Sequence, residues 1–544
     1  MKKKSAYYRK LICVSLLIGI LNFTGCNTLF RPEEFYLSDI NSEQELDEAI
    51  SGIADYFHLL TISTLYQSTE LFGDDLFDPI TTGPFPYQKY YQGGNTCTKG
   101  RESFEIKDDI WINMYTIIAS CNNILSQFQL DKVSDKTIKQ LLGEALFYRA
   151  FCYYRLSLIY GQVPIVDNPN IDYTTPKASY EELYRFIEKD LKQAIELLPI
   201  QKTECRIPNE SPGRGTAKAL LGEVYLSWSG FPIKDISKYA LAAQVTGELI
   251  DSSNFYGYEL LPDFEDLWNK KSVYNNEAIF TNYFKLPENE IDYYRYIGRI
   301  AFVGELYFTG FSPDDKVILA LSRNPLSEIE FYNNYPKGYR KDVTFYTRIY
   351  VDPVRIGIGT EFEIAGLDSG YFDIEKTDCG GRATYRKFFI DTLQLRRVLN
   401  SELSIRILGC PRIYLIRYAQ TLLTYAEASA RSGNINEKAY ECVNLVRRRA
   451  NNLPLNKPSP YDLPQSLSPE AFADSVVQER AWELAGEPGH RWFDMVRSGI
   501  VEKVFENRDP NDGGPFEYST NDKYFFPIPE HDINLNPNLG EQGD

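Results

Sequence analysis

Two blocks of helical periodicity, divided by residues 252–405, which have none, limit the architectures open to this chain. In the first block apolar side chains recur three or four positions apart. Leu46, Ile50, Ile53 and Phe57 do so within 43–67, and Ile110, Met114, Ile117, Cys121 and Leu125 within 108–129. Further helices are predicted over 136–160, 179–198, 215–229 and 236–251, and the second block supplies 412–431, 436–450 and 469–498. Ser42 with Glu45, and Ser179 with Glu182, have the Ser-x-x-Glu spacing that satisfies free amides at a helix start. Pro199 stops the helix that Ser179 opens. A helix with one apolar stripe must bury it on a neighbour. The spacing therefore predicts a mostly α scaffold of packed helical pairs with a loop-rich, irregular insertion.

The helical pairs resemble tetratricopeptide hairpins. Leu221-Gly222-x-x-Tyr225 matches the start of that repeat, although no clean period of about 34 residues holds. Gly143 and Gly222 are small enough to let two helices approach closely, with Tyr225 filling the groove beside them. At 544 residues the chain exceeds the size at which one core stops growing. The expected divisions are a helical scaffold over 43–251, a variable region over 252–405 and a second helical region over 406–544. The variable region is rich in Tyr, Phe, Gly, Asn and Asp, with few strands expected, in pieces such as RKFFI and FEIAG. A second break, 73–100, falls inside the first block and is dense in Asp, Pro, Gly and Tyr.

The N-terminus reads as an export signal. Lys2, Lys3, Lys4, Arg9 and Lys10 precede the apolar run 11–21, which is too short to span a bilayer comfortably. Gly25-Cys26 follows, and this order resembles a bacterial lipobox, apart from Phe23 where an aliphatic residue is usual. The resemblance implies cleavage after residue 25, acylation of Cys26 and a tether over 26–42.

Charge excludes several partners. Lys plus Arg number 58 against 75 Asp plus Glu, a net −17, and loss of the basic signal leaves the rest more acidic still. Such a balance repels phosphate backbones, so no nucleic-acid partner is expected. His58, His490 and His531 are the three histidines, too few and too scattered for a His-built triad or metal site. Beyond Cys13 and Cys26, the cysteines at 97, 121, 152, 205, 379, 410 and 442 form no CxxC motif. They read mostly as small core residues, with room for one or two bridges in an exported protein. Asp74, Asp75 and Asp78 read as a turn cluster, with a calcium site as the alternative, and 509–514 fails the calcium-loop pattern at Gly513 and Thr520. No metal, cofactor or catalytic residue is assigned.

Five segments, in order, carry a family resemblance. They are WINMYTIIASCNNIL (111–125), GEALFYRAFCYYRLSLIYGQVPIV (143–166), GRGTAKALLGEVYLSWSG (213–230), ERAWELAGEPGHRWFDMVRSG (479–499) and KYFFPIPEHDINLNPNLGEQ (523–542). Together they resemble the SusD/RagB family of outer-membrane lipoproteins, which bind nutrients, mostly glycans. The resemblance implies a SusD-like, tetratricopeptide-based fold and an anchor in the outer membrane, facing outward. It also implies a partnership with a SusC-like TonB-dependent transporter, which receives captured oligosaccharide or another nutrient.

Within 479–499, Trp482, Leu484, Trp492 and Phe493 form an apolar stripe, and Gly486-Glu487-Pro488-Gly489 interrupts the helix. Arg480, Glu483, Arg491, Asp494 and Arg497 can pair across that turn, so His490, Asp494 and Glu487 read as parts of a charge-latched corner rather than a catalytic cluster. There is no phosphate loop, nucleophile elbow or HExxH motif. Sugar rings expose apolar faces rimmed by hydroxyls, which flat tyrosines and nearby amides or guanidinium groups suit. The candidate ligand residues are Tyr87, Tyr90, Tyr91 and Asn95 in the early loop, Tyr293, Tyr294 and Arg295 in the middle, and Tyr332 and Asn333 beyond. Tyr153, Tyr154 and Tyr225, on helices, read as core. The expected function is non-catalytic capture of oligosaccharide. The alternatives are the same scaffold capturing peptide or another nutrient, and a surface glycoside hydrolase needing two placed carboxylates.

Overall fold

The computed structural model describes residues 39–62, 73–76, 101–169, 172–268, 274–283, 305–311, 317–322, 327–346, 348–350, 367–368, 371–373, 383–387, 394–397, 403–406, 412–509 and 524–540. The first block of periodicity becomes α1 (Glu43–Ile62), α2 (Arg101–Ser126), α3 (Lys136–Tyr160), α4 (Tyr180–Leu197), α5 (Arg214–Ser229) and α6 (Lys238–Asp251). The second becomes α9 (Tyr418–Arg431), α10 (Glu437–Ala450), α11 (Pro469–Glu483), α12 (Arg491–Ser498) and α13 (Val501–Phe505), and α14 (Glu530–Leu535) lies near the end. Two short helices, α7 (Ile329–Asn334) and α8 (Tyr339–Thr344), sit in the variable region.

The predicted capping box at Ser179 forms in full, while at Ser42 only the hydroxyl half forms and the Glu45 carboxylate takes the Asn41 amide instead. The Ser179 hydroxyl accepts from the Glu182 amide at 3.3 Å while the Glu182 carboxylate accepts from the Ser179 amide at 2.9 Å. At α1 the Glu45 amide donates to Ser42 at 3.1 Å and the Asn41 amide to Glu45 at 2.6 Å. The helices then pack in succession, α2 on α3, α3 on α4, α4 on α5 and α5 on α6. Helix α9 closes on α6 and α5 and takes α10 and α11 against it, so both blocks share one core. The fold is mostly helical and tetratricopeptide-like.

The small residues act as expected. A Cβ at Gly222 would lie 2.4 Å from the Thr246 side chain on α6, and one at Gly143 would lie 3.0 Å from Leu198. Tyr225 is buried beside Gly222 and donates from its hydroxyl to Glu188 at 2.6 Å. Tyr153 and Tyr154 are core, and Cys121, Cys152, Cys205 and Cys442 are buried and free. Cys97, Cys379 and Cys410 lie outside the described residues.

One sequence expectation is corrected. Residues 412–417, read as the start of a helix, are a strand, β11 (Arg412–Arg417), and α9 begins only at Tyr418. All six residues of RIYLIR are buried, so the run shows no alternation to distinguish it from a helix. β11 pairs antiparallel with β1 (Ala278–Tyr283), Thr281 opposite Tyr414. The variable region holds more short strands. β2 (Glu305–Phe311), β3 (Val317–Ser322), β9 (Gln394–Arg397) and β10 (Leu403–Arg406) form one sheet in the order β3-β2-β10-β9. β4 (Phe345–Tyr346) pairs with β8 (Thr384–Tyr385), while β5 (Arg348–Tyr350), β7 (Tyr371–Asp373) and β6 (Leu367–Asp368) make a third small sheet.

A second, smaller core joins this region to the C-terminal helices. Phe264, Trp268, Phe331, Tyr335, Phe345 and Tyr385 pack with Ala481 and Ala485 of the helix corner. Beneath it lies a charged layer. Arg417 reaches Glu487 (2.8 Å), Glu277 (2.9 Å) and Glu483 (2.6 Å), and Arg449 binds Glu277 and Glu483. Arg340 of α8 binds Glu479 at 2.7 Å and Glu483 at 2.8 Å, and Lys387 binds Glu487 at 2.7 Å. All eight groups are buried, which is tolerable because each charge faces opposite charges and hydrogen bonds.

Candidate functional site

Where the early break and the variable region re-enter the described structure, they touch. Residues 73–76 lead into the predicted ligand loop, and Ser327-Glu328 lead into α7. The Glu328 amide donates to the Asp74 carbonyl at 3.2 Å, and the Ser327 amide to the Ala383 carbonyl at 3.0 Å. The Tyr385 hydroxyl donates to the Asp75 carbonyl at 2.6 Å. Asp75 accepts from the Gly486 amide at 2.7 Å. Gly486 has φ +71, and a Cβ there would lie 2.7 Å from the Tyr385 ring. Only glycine fits that turn while leaving its amide free for Asp75.

These contacts frame a cleft of about 330 Å³. Asp74 and α7 form one wall, through Glu330, Phe331 and Asn334, and Trp482 lies on the α11 side. Arg491, Lys503 and Arg508 close it from α12, α13 and the segment that follows. Trp482 and Asn334 stay partly open to solvent, so the cleft offers an aromatic surface among polar groups.

Its charges are largely engaged with one another. Arg491 grips Asp74 through two bonds, 2.5 and 2.9 Å. Arg508 grips Glu328 likewise, one of its two bonds being 3.0 Å. Glu330 accepts from Asn334 at 2.7 Å, and Asp474 meets Arg431 at 3.3 Å. Forked pairing of the kind made by Arg491 with Asp74 and by Arg508 with Glu328 fixes the orientation of both partners.

The corner behind the cleft is structural. Burial pushes the His490 imidazole down to about 3, so it stays neutral at physiological pH. Burial alone would raise the Asp494 carboxyl, but Arg480 (3.0 Å) and Arg497 (2.7 Å) hold it well below its usual value. Burial opposes ionisation of Glu487 as well, yet Arg417 and Lys387 keep its carboxyl low. Of the groups read as pairing across the turn, Arg480 does so with Asp494, whereas Arg497 meets Asp494 within α12. Glu483 and Arg491 turn elsewhere, to Arg417 and to Asp74. Asp74 and Asp75 are thus taken by the corner, and Asp78 lies outside the described residues. Among the described residues no three His, Cys, Asp or Glu side chains are placed to hold a metal.

Of the sequence-derived ligand residues, Tyr87, Tyr90, Tyr91, Asn95, Tyr293, Tyr294 and Arg295 lie outside the described residues, as does Cys26. Tyr332 and Asn333 lie on α7. Tyr332 is half-buried against Phe345, ring centroids 5.3 Å apart, with the Lys341 ammonium 3.9 Å from its ring. Asn333 is exposed. Their neighbours Phe331 and Asn334 line the cleft. Trp482 and Arg491 were read as fold residues, and nothing in their local spacing marks the cleft, because it forms only when distant segments meet.

Comparisons with known proteins agree on a family. The SusD family matches over residues 406–542, and a family described as starch-binding and associating with the outer membrane matches over 33–226. The chain is 24% identical to a SusD-like protein P2 of Formosa agariphila, covering 97% of this chain and 98% of that protein. It is also 24% identical to a SusD-like protein of Bacteroides ovatus, covering 79% and 80%. A SusD homologue of Bacteroides thetaiotaomicron superposes with TM-score 0.67 at 21% identity, covering 94% of this chain and 98% of that one. A structure described with xylogluco-oligosaccharide superposes with TM-score 0.63 at 19% identity, covering 91% and 98%.

Proposed function

We propose that this chain, which belongs to the SusD/RagB family, is a surface receptor that binds oligosaccharide without cleaving it and passes it to a TonB-dependent transporter. Cys26 is the acylated anchor, set in the outer membrane with the folded part facing outward. The observation that carries the binding reading is the meeting of residues 73–76, α7 and the Trp482 corner around one open cleft. The partly open Trp482 ring supplies a face for a sugar, and Asn334 and Lys503 supply hydrogen-bond donors at its rim. Self-paired acids in the cleft support binding over hydrolysis. The sequence-derived residues Tyr87, Tyr90, Tyr91, Asn95, Tyr293, Tyr294 and Arg295 complete the surface in this reading, and Tyr332 and Asn333 contribute from α7.

Retention on immobilised polysaccharides, with chromatography of the eluate, tests this. Retention of intact glycan is expected. Retention of peptides alone, or release of shortened sugars, overturns it. Protease treatment of whole cells tests orientation, and pull-down through the anchored protein tests for a co-purifying β-barrel.

A further inference from the structure

Four basic side chains are among the described residues that line the cleft, and their pairing is uneven. Arg491 is covered by Asp74, Arg508 by Glu328, and Arg431 by Glu427 and Asp474. Lys503 of α13 is exposed and meets no carboxylate among the described residues. We propose that the Lys503 wall holds an anionic substituent of the bound sugar, a uronate carboxylate or a sulfate ester, so that the receptor selects acidic over neutral oligosaccharide. This selectivity rests on the cleft being the sugar-binding site, as proposed above.

Polar groups beside Lys503 are unclaimed as well. The Ser498 hydroxyl, at the end of α12, is buried and has no hydrogen-bond partner. Gly499, with φ +66, turns the chain from α12 into α13, and Ser498 and Lys503 both line the cleft on that side. Gln478 of α11 lines the same space, and its side-chain amide makes no hydrogen bond among the described residues. An ammonium, a hydroxyl and an amide NH₂ are all donors, and a ligand rich in acceptor oxygens satisfies them together.

The opposite wall sets the orientation. On α7, Glu330 meets no cation among the described residues, and it accepts from the Asn334 side chain at 2.7 Å. An acidic sugar is therefore favoured with its charged substituent at Lys503, away from Glu330, and a ring face turned to Trp482. The arginines are less suited to this task, because Arg491 and Arg508 already spend their forks on Asp74 and Glu328. The chain as a whole carries −17, which repels anions at long range. Salt screens that repulsion over about 10 Å at ~0.1 M, whereas a charge-assisted bond made in contact is screened less.

Calorimetric titration of the purified chain with matched glycan pairs tests this. The pairs are uronate oligosaccharides beside their carboxyl-reduced forms, and sulfated galactan oligosaccharides beside their desulfated forms. At least one acidic member should bind about fivefold tighter than its neutral counterpart at ~0.02 M salt, with the gap closing by about 0.5 M. Lys503→Gln, which keeps a donor but no charge, should bring that ratio to about one, and Lys503→Arg should preserve it. A preference confined to the uronate pairs assigns a carboxylate, and one confined to the sulfated pairs assigns a sulfate ester. Neutral members bound as tightly as acidic ones in every pair, or a preference that survives Lys503→Gln, overturns the selectivity and leaves sugar capture standing. Binding of no member of any pair overturns both.

Discussion

Replacing Arg417 with methionine removes the hub of the buried charged layer. The guanidinium makes five hydrogen bonds, to Glu487 (2.8 and 3.0 Å), Glu277 (2.9 Å), the Glu483 carboxylate (2.6 Å) and the Glu483 carbonyl (2.7 Å). Methionine fills a similar volume, so the cost comes from Glu277, Glu483 and Glu487, each buried and each losing a cation. Breaking a buried pair on one side costs about 3–5 kcal/mol. With a urea m-value of about 3 kcal/mol/M, the unfolding midpoint at pH 7 falls by about 1–1.7 M.

The pH dependence carries a sign. In the native protein burial opposes ionisation of Glu483, but Arg449, Arg417 and Arg340 hold its carboxyl at about 2, and Glu487 is also held low. Both groups therefore stabilise the fold above the unfolded value, and that stabilisation fades as pH falls towards the folded one. In the variant, burial is opposed by fewer cations, so one carboxyl takes up a proton readily. The destabilisation then shrinks between pH 7 and pH 4.5, and Glu487→Gln combined with Arg417→Met recovers part of the loss. A midpoint shift below about 0.3 M at pH 7, or one that does not shrink on acidification, refutes the role given to the layer.

Three further outcomes are expected. Trp482→Ala should weaken glycan binding about tenfold, roughly 1.4 kcal/mol, in titrations where circular dichroism is unchanged. Gly222→Ala places a methyl 2.4 Å from Thr246 and should lower stability by about 1–3 kcal/mol in urea unfolding. Cys26→Ser should move the protein from the membrane pellet to the soluble fraction after cell fractionation, and a pellet that still holds it contradicts the anchor.

The helical scaffold is legible in the sequence wherever local chemistry decides. Ser179, Glu182 and Pro199 announce both ends of α4, and the helix expected over 136–160 is α3 (Lys136–Tyr160). β11 is not legible from periodicity, since a strand buried on both faces has none. Its composition, two isoleucines, a leucine and a tyrosine in six residues, is the signal that could have found it. The corner at 484–490 is legible as a turn because Gly486, Pro488 and Gly489 cannot continue a helix. Its partners are not, because Asp74 lies 417 positions from Arg491 and Glu277 lies 140 from Arg417. The cleft inherits that difficulty. Of the tyrosine-rich segments, 331–335 reaches it, through Phe331 and Asn334, but Trp482 and Arg491 join it only through long-range packing.

Calorimetric titration of the purified chain with a panel of oligosaccharides, run beside Trp482→Ala and followed by chromatography of each mixture, tests capture without cleavage most directly. Saturable heat with at least one glycan, diminished in the variant, and sugars recovered intact are the predicted result. Shortened sugars, or a Trp482→Ala isotherm identical to that of the native chain, would contradict it.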